Sequence, residues 1–147
     1  MKIVSKNRRA TFDYDIQQKI IAGLVLLGTE VKSAKAGHVQ LKGSYIKARP
    51  NEAVLVNSHI SHYKQGGQKQ HDLNRERNLL LTKKQLDELF TAKQNSLQII
   101  PLAMGIEHGY LKLEIGIGKS QVHRDKRQVI KKRESDIEAQ RIAKKYS

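Results

Sequence analysis

Over residues 12–27, apolar side chains recur at every second position, and this period constrains the fold more than any other feature of the chain. Phe12, Tyr14, Ile16, Ile20, Ala22, Leu24 and Leu26 share one parity, broken only by Gln18, while Asp13, Asp15, Gln17 and Lys19 hold the other. Successive side chains of a strand point to opposite faces, so this is the pattern of a strand with one dry and one wet side. After Ile21 both parities are apolar, which predicts burial on both faces, with Gly23 marking a bend or bulge. Residues 1–11 are polar and basic, and read as an arm.

The rest of the body repeats short β segments with turns between them. Gly28-Thr29 ends the first run, and a short helix is expected over 30–36, with Thr29 as N-cap, Glu30 at the positive helix end and Gly37 as the stop. Residues 39–49 and 53–60 read as strands about a Pro50-Asn51 turn, and 64–78 as a long polar loop. Thr82-Lys83-Lys84-Gln85 is a capping box, and Leu81 with Leu86 forms a hydrophobic staple, so a helix starts there and ends near Lys93. Residues 97–104 and 110–117 form a hairpin across Glu107-His108-Gly109. These elements predict a mainly β fold: a small antiparallel OB-like barrel with attached short helices and a basic C-terminal tail.

Charge narrows the partner. The chain has 28 Lys+Arg against 14 Asp+Glu, a net +14, and a domain this basic is drawn to a polyanion. Nucleic acid fits better than an anionic membrane, because the basic runs carry few large apolar residues. There is no cysteine, no signal-peptide pattern and no apolar run of membrane-spanning length, so a cytoplasmic location is expected. Residues 119–147 hold ten Lys/Arg and four Asp/Glu, too few apolar residues for a core, and many good helix formers. The chain therefore divides into an RNA-binding body, 1–118, and a tail, 119–147, expected to be disordered alone and helical on RNA.

Catalytic and metal patterns are weak. His59-x-x-His62 has loose metal spacing but no Cys and no carboxylate trio beside it. Gly116-Ile117-Gly118-Lys119-Ser120 ends like a phosphate-binding loop, yet its first glycine would fall on Leu113 inside a strand. No Ser–His–Asp set or carboxylate pair stands out. A binding protein, not an enzyme, with no cofactor and no metal is the expectation.

Ordered motifs then point to one family. Asn7-Arg8-Arg9-Ala10, Gly28-Thr29-Glu30-Val31-Lys32-Ser33, Ala36-Gly37, Leu41-x-x-Ser44-Tyr45, Glu52-Ala53, His59-Ile60-x-x-Tyr63, His71-x-x-x-Arg75-x-Arg77-x-Leu79-Leu80-Leu81, Ile100-Pro101-Leu102, Lys112-x-x-Ile115-Gly116 and Asp125-Lys126-Arg127 follow one another as in the SmpB (SsrA-binding protein) family, which the chain resembles from about residue 7 to its end. It departs from the family pattern near the tail: Gly118-Lys119-Ser120-Gln121-Val122 lacks a double lysine, Arg124 stands where a His precedes Asp125, and Asn78 replaces a Lys. The resemblance implies an OB-like barrel that binds the tRNA-like domain of transfer-messenger RNA (tmRNA). It also implies a tail that enters the decoding centre and mRNA channel of the small ribosomal subunit against rRNA. EF-Tu within the tmRNA complex is a further partner it suggests, and the task implied is trans-translation, the tagging of stalled nascent peptides.

Within that frame Arg8, Arg9, Lys32, Lys35, Arg75, Arg77 and Lys119 are candidates to neutralise phosphates. Asn7 belongs to the same RNA-facing set. Tyr45, His59, Tyr63 and His71 are candidates to stack on exposed bases, and Glu30 to accept from a base amino group. In the tail, His123, Arg124, Asp125, Lys126, Arg127, Lys131, Lys132, Arg133, Arg141, Lys144 and Lys145 are the candidate ribosome contacts. The bland alternatives are that Glu30 and Lys32 open an ordinary solvated helix and that Tyr45 and Tyr63 are core or edge packing. A different RNA-binding protein and an RNA-acting enzyme are the rival functions.

Overall fold

A computed structural model describes residues 1–64, 67 and 70–121. Strand β1 (Lys2–Lys6) is followed by helix α1 (Ala10–Asp13), strand β2 (Tyr14–Leu24) and helix α2 (Gly28–Lys35). Then come β3 (Val39–Gln40), β4 (Tyr45–Arg49), β5 (Glu52–Val56), β6 (His59–Ile60), β7 (Arg77–Leu80), α3 (Lys83–Gln94), β8 (Gln98–Glu107) and β9 (Tyr110–Ser120). Seven strands make one antiparallel sheet in the order β1-β8-β9-β2-β7-β5-β4, and β3 pairs with β6. The fold is thus mainly β, as expected, but the sheet is not closed by hydrogen bonds: β1 and β4 lie at its two ends. Ser5 Oγ donates to the Val39 carbonyl at 2.9 Å and ties the β1 edge to the small sheet.

Several local expectations change. The N-terminal arm is a strand, because Lys2–Lys6 finds a partner in β8 about a hundred residues away, which no local pattern announces. Residues 10–13 are helical, so β2 begins at Tyr14; Ala10 packs with Ile100 and Leu102 in a second small core on the outer side of the sheet. The late part of the 12–27 run is not buried on both faces: Ile21 in β2 and Val25 just after it are 41% and 44% exposed. The supposed long loop ends in β7, which pairs with both β2 and β5.

The helices begin and end for reasons written locally. In α3 the Gln85 N–H donates to Thr82 Oγ1 at 3.1 Å and the Thr82 N–H to Gln85 Oε1 at 3.0 Å, the expected reciprocal cap. Its C-terminus closes with Ser96 in the left-handed region (φ 63), the Leu97 N–H reaching the Ala92 carbonyl and the Ser96 N–H the Lys93 carbonyl. Helix α2 starts two residues early, with Leu27 as N-cap, because Glu30 accepts from the Leu27 N–H at 2.8 Å while Thr29 turns to His71. In the β8–β9 hairpin both central residues, His108 (φ 51) and Gly109 (φ 81), are left-handed, which matches the strand twist. The strand expected over 39–49 breaks at Gly43 (φ 77), and that over 53–60 breaks at Asn57 (φ 63).

One main core results. Ile20, Ala22, Leu55, Leu79, Met104, Leu113, Ile115 and Ile117 line the inner face of the sheet, with Ala34 of α2 and Leu89 and Ala92 of α3 packed among them.

Candidate nucleic-acid interface

The most developed polar feature is a buried network where α2 meets β7. Glu30 and Arg77 are both wholly inaccessible to solvent. The Arg77 guanidinium donates from Nε to Glu30 Oε2 at 2.7 Å, from Nη1 to the Ser58 carbonyl and hydroxyl at 2.8 and 3.0 Å, and from Nη2 to the Leu73 and Asp72 carbonyls at 3.1 and 3.3 Å. Arg75 joins from the surface, giving Nη2–H to Glu30 Oε1 at 2.6 Å. Burial alone would raise the Glu30 pKa, but the N–H groups of Arg75, Leu27 and Arg77 outweigh it and hold the carboxyl below its ordinary value. Desolvation draws the Arg77 pKa down against the pull of Glu30. These positions overturn two expectations. Glu30 cannot reach a base amino group and Arg77 cannot reach a phosphate, since each spends its polar atoms inside the protein.

His71 is corrected for the same reason. It is 4% exposed, so it offers no face for stacking. Its Nε2 lies 2.8 Å from the Ile60 carbonyl and must donate there, which leaves Nδ1 to accept from Thr29 Oγ1 at 2.8 Å. His59 is half-buried, with Nδ1 at 3.2 Å from Asn74 Oδ1. Tyr63 is half-buried too, its backbone N–H and carbonyl both held by the Gln70 amide.

A second group of expected residues does come together. Asn7, Arg9 and Tyr45 line one cleft of about 760 Å³ with Tyr14, Lys42 and Gln98. Asn7 is its fixed point: its side-chain amide donates to the Pro101 carbonyl at 2.9 Å and its backbone N–H to the Leu102 carbonyl at 2.8 Å. Arg8 and Arg9 stay exposed beside it, and Tyr45 is 48% exposed at the sheet edge. Lys32 and Lys35 point to solvent from α2, and Lys119 is exposed in β9 opposite Asp15. The expected tail contacts from His123 to Lys145 lie outside the described residues.

Register supplies residues that pattern reading passed over. Ile3 pairs with Gly105, Gly105 with Lys112, Lys112 with Gly23 and Gly23 with Leu80, so one row crosses five strands on the outer face. Leu80 is 61% exposed, Ile3 38%, and Ile21 lies two residues along β2 from Gly23. A lysine between apolar side chains on a flat sheet face suits RNA, which offers phosphates and unstacked bases together. The available signal was Ile21 and Val25 falling on the wet parity of the 12–27 run.

Known proteins resemble this chain over nearly its whole length. The family model described as SmpB protein matches residues 4–145. An SsrA-binding protein of Lysinibacillus sphaericus is 45% identical over 144 residues, 97% of this chain and 93% of that protein. One from Bacillus pumilus is 43% identical over 141 residues, covering 95% and 90%. A solved structure described as "tmRNA-SmpB: a journey to the center of the bacterial ribosome" superposes with a TM-score of 0.68 and 34% identity, over 86% of this chain and 93% of that one.

Proposed function

Because this chain belongs to the SmpB family, we propose that it binds tmRNA and acts in trans-translation on the ribosome. The observation that carries the reading is the reach of the match. It runs from residue 4 to residue 145, so it takes in the basic C-terminal segment as well as the folded body. A net charge of +14 supplies the attraction to RNA. The cleft at Asn7, Arg9 and Tyr45 and the outer row through Lys112 offer cations beside surfaces for bases. The body grips the tRNA-like domain, in an OB-like arrangement of its strands. The tail serves the decoding centre and mRNA channel, and EF-Tu enters through the same RNA. The protein's part is binding and delivery, with the peptide tag and ribosome release as the outcome.

Two measurements test this. Full-length protein and a variant ending at Gln121 should bind the tRNA-like domain of tmRNA similarly, while only the full chain supports tagging on stalled ribosomes. Equal tagging by both would refute the division of labour. Affinity should fall steeply as salt rises, since each neutralised phosphate contributes a slope of roughly −0.9 in the logarithmic plot. Cleavage of labelled tmRNA by the pure protein would favour the enzymatic alternative.

A further inference from the structure

We propose that Arg75 is a base-stacking platform for the RNA, held in place by Glu30 as a positioning residue. This rests on the RNA-binding reading above and assigns one residue a different chemistry from the phosphate contact its sequence suggests.

The inference comes from counting donors. A guanidinium carries five N–H groups. In Arg75, Nε–H points to Glu30 Oε2 at 3.3 Å, and Nη2 donates to Glu30 Oε1 at 2.6 Å and to the Val25 carbonyl at 3.3 Å. Nη1 donates to the Glu76 carbonyl at 3.2 Å. Four of the five hydrogens are spent on the protein, so the two-pronged fork that grips a phosphate is not on offer. Yet the side chain is 32% exposed. With its edges engaged, one Nη1 hydrogen is the donor left over, and the flat of the group is the surface a partner can use.

The surroundings agree. The backbone of Arg75 is itself fixed, its N–H donating to the Asp72 carbonyl at 3.2 Å across a tight turn. Val25, which follows β2 and whose carbonyl accepts from Arg75, is 44% exposed, and Leu27 is 48% exposed. A cationic plane whose edges are taken, next to a segment with exposed apolar residues, is suited to the face of an unpaired base more than to a phosphate. Because Glu30 already neutralises Arg77, the ensemble keeps one net positive charge at Arg75.

The test compares wild type, Arg75→Lys and Arg75→Gln, full-length, binding the tRNA-like domain across a salt series. Lysine keeps the charge and loses the plane. Both variants should therefore weaken binding by about fivefold or more, as loss of a stacking contact does, and the salt slope should stay at the wild-type value. Wild-type affinity in Arg75→Lys would overturn the proposal, and so would a slope reduced by about one in Arg75→Gln, the mark of a lost phosphate contact. A measurement on the unaltered protein stands beside it. On adding RNA, the Arg75 Nε–H resonance should shift upfield under a base ring current and remain protected by Glu30; a downfield shift with loss of protection means phosphate instead. Should wild type itself fail to bind this RNA, the tmRNA reading falls, and not merely the role of Arg75.

Discussion

Glu30 shows how one carboxylate can organise charges drawn from across the chain. Its partners lie 45 and 47 residues away, and it reaches them from the first turn of α2. Removing one member of a buried pair leaves the other uncompensated, a loss of about 3–5 kcal/mol. Glu30→Gln should therefore be strongly destabilised at neutral pH. The pH dependence has a definite sign. The folded-state pKa of Glu30 lies below its ordinary value, so the unfolded chain takes up the proton first on acidification. Its contribution is full above the ordinary glutamate range and is lost as pH falls through the lowered value. Urea unfolding at a series of pH values should show the gap between wild type and Glu30→Gln narrowing in acid; parallel curves would contradict this account.

Elements differ in how much of them was readable beforehand. Helix α3 was legible because its cap is local: four consecutive residues carry both reciprocal bonds. Thr82→Ala should cost about 1 kcal/mol, measured as a lower urea midpoint with an unchanged slope. The β8–β9 hairpin was legible for the same reason. Strands β1 and β7 were not, because Lys2–Lys6 and Arg77–Leu80 owe their conformation to partners far along the chain, and their polar flanks merge with loops. The candidate site divides likewise. Arg8, Arg9, Lys32 and Lys35 are exposed, as a phosphate contact requires, whereas Glu30, His71 and Arg77 are inside. A motif records that a charge is needed without saying whether RNA or another side chain needs it. Glycine carries a similar ambiguity. A Cβ at Gly118 would run into the Asp15 carbonyl beside the β2 bulge, so Gly118→Ala should lower the melting temperature, by calorimetry, through strand separation there.

At the scale of the molecule, the expected split into body and tail meets a strand that passes its boundary. Strand β9 continues to Ser120, and the Gln121 N–H donates to the Asp13 carbonyl at 2.7 Å. Whatever follows residue 121 thus departs from a fixed point next to the Asn7–Arg9 cleft, of which Asp13 is also a wall. The described body therefore supplies an anchored origin as well as an RNA-binding surface.

The open sheet has one more consequence, for self-association. Among the described residues β4 has no strand hydrogen-bonded along its outer side, whereas that of β1 is tied to β3 through Ser5, and an open border invites a second molecule to add its own backbone. Lys2 and Lys6 stand on one border, Lys47 and Arg49 on the other. On β4 Lys47 is paired with Glu76 and Arg49 with Glu52, so docking a second copy there would strip water from these charged pairs, and the charged border keeps neighbouring copies apart. Replacing Lys47 and Arg49 with threonine should turn a monodisperse solution into one that forms larger species with rising concentration, visible by light scattering.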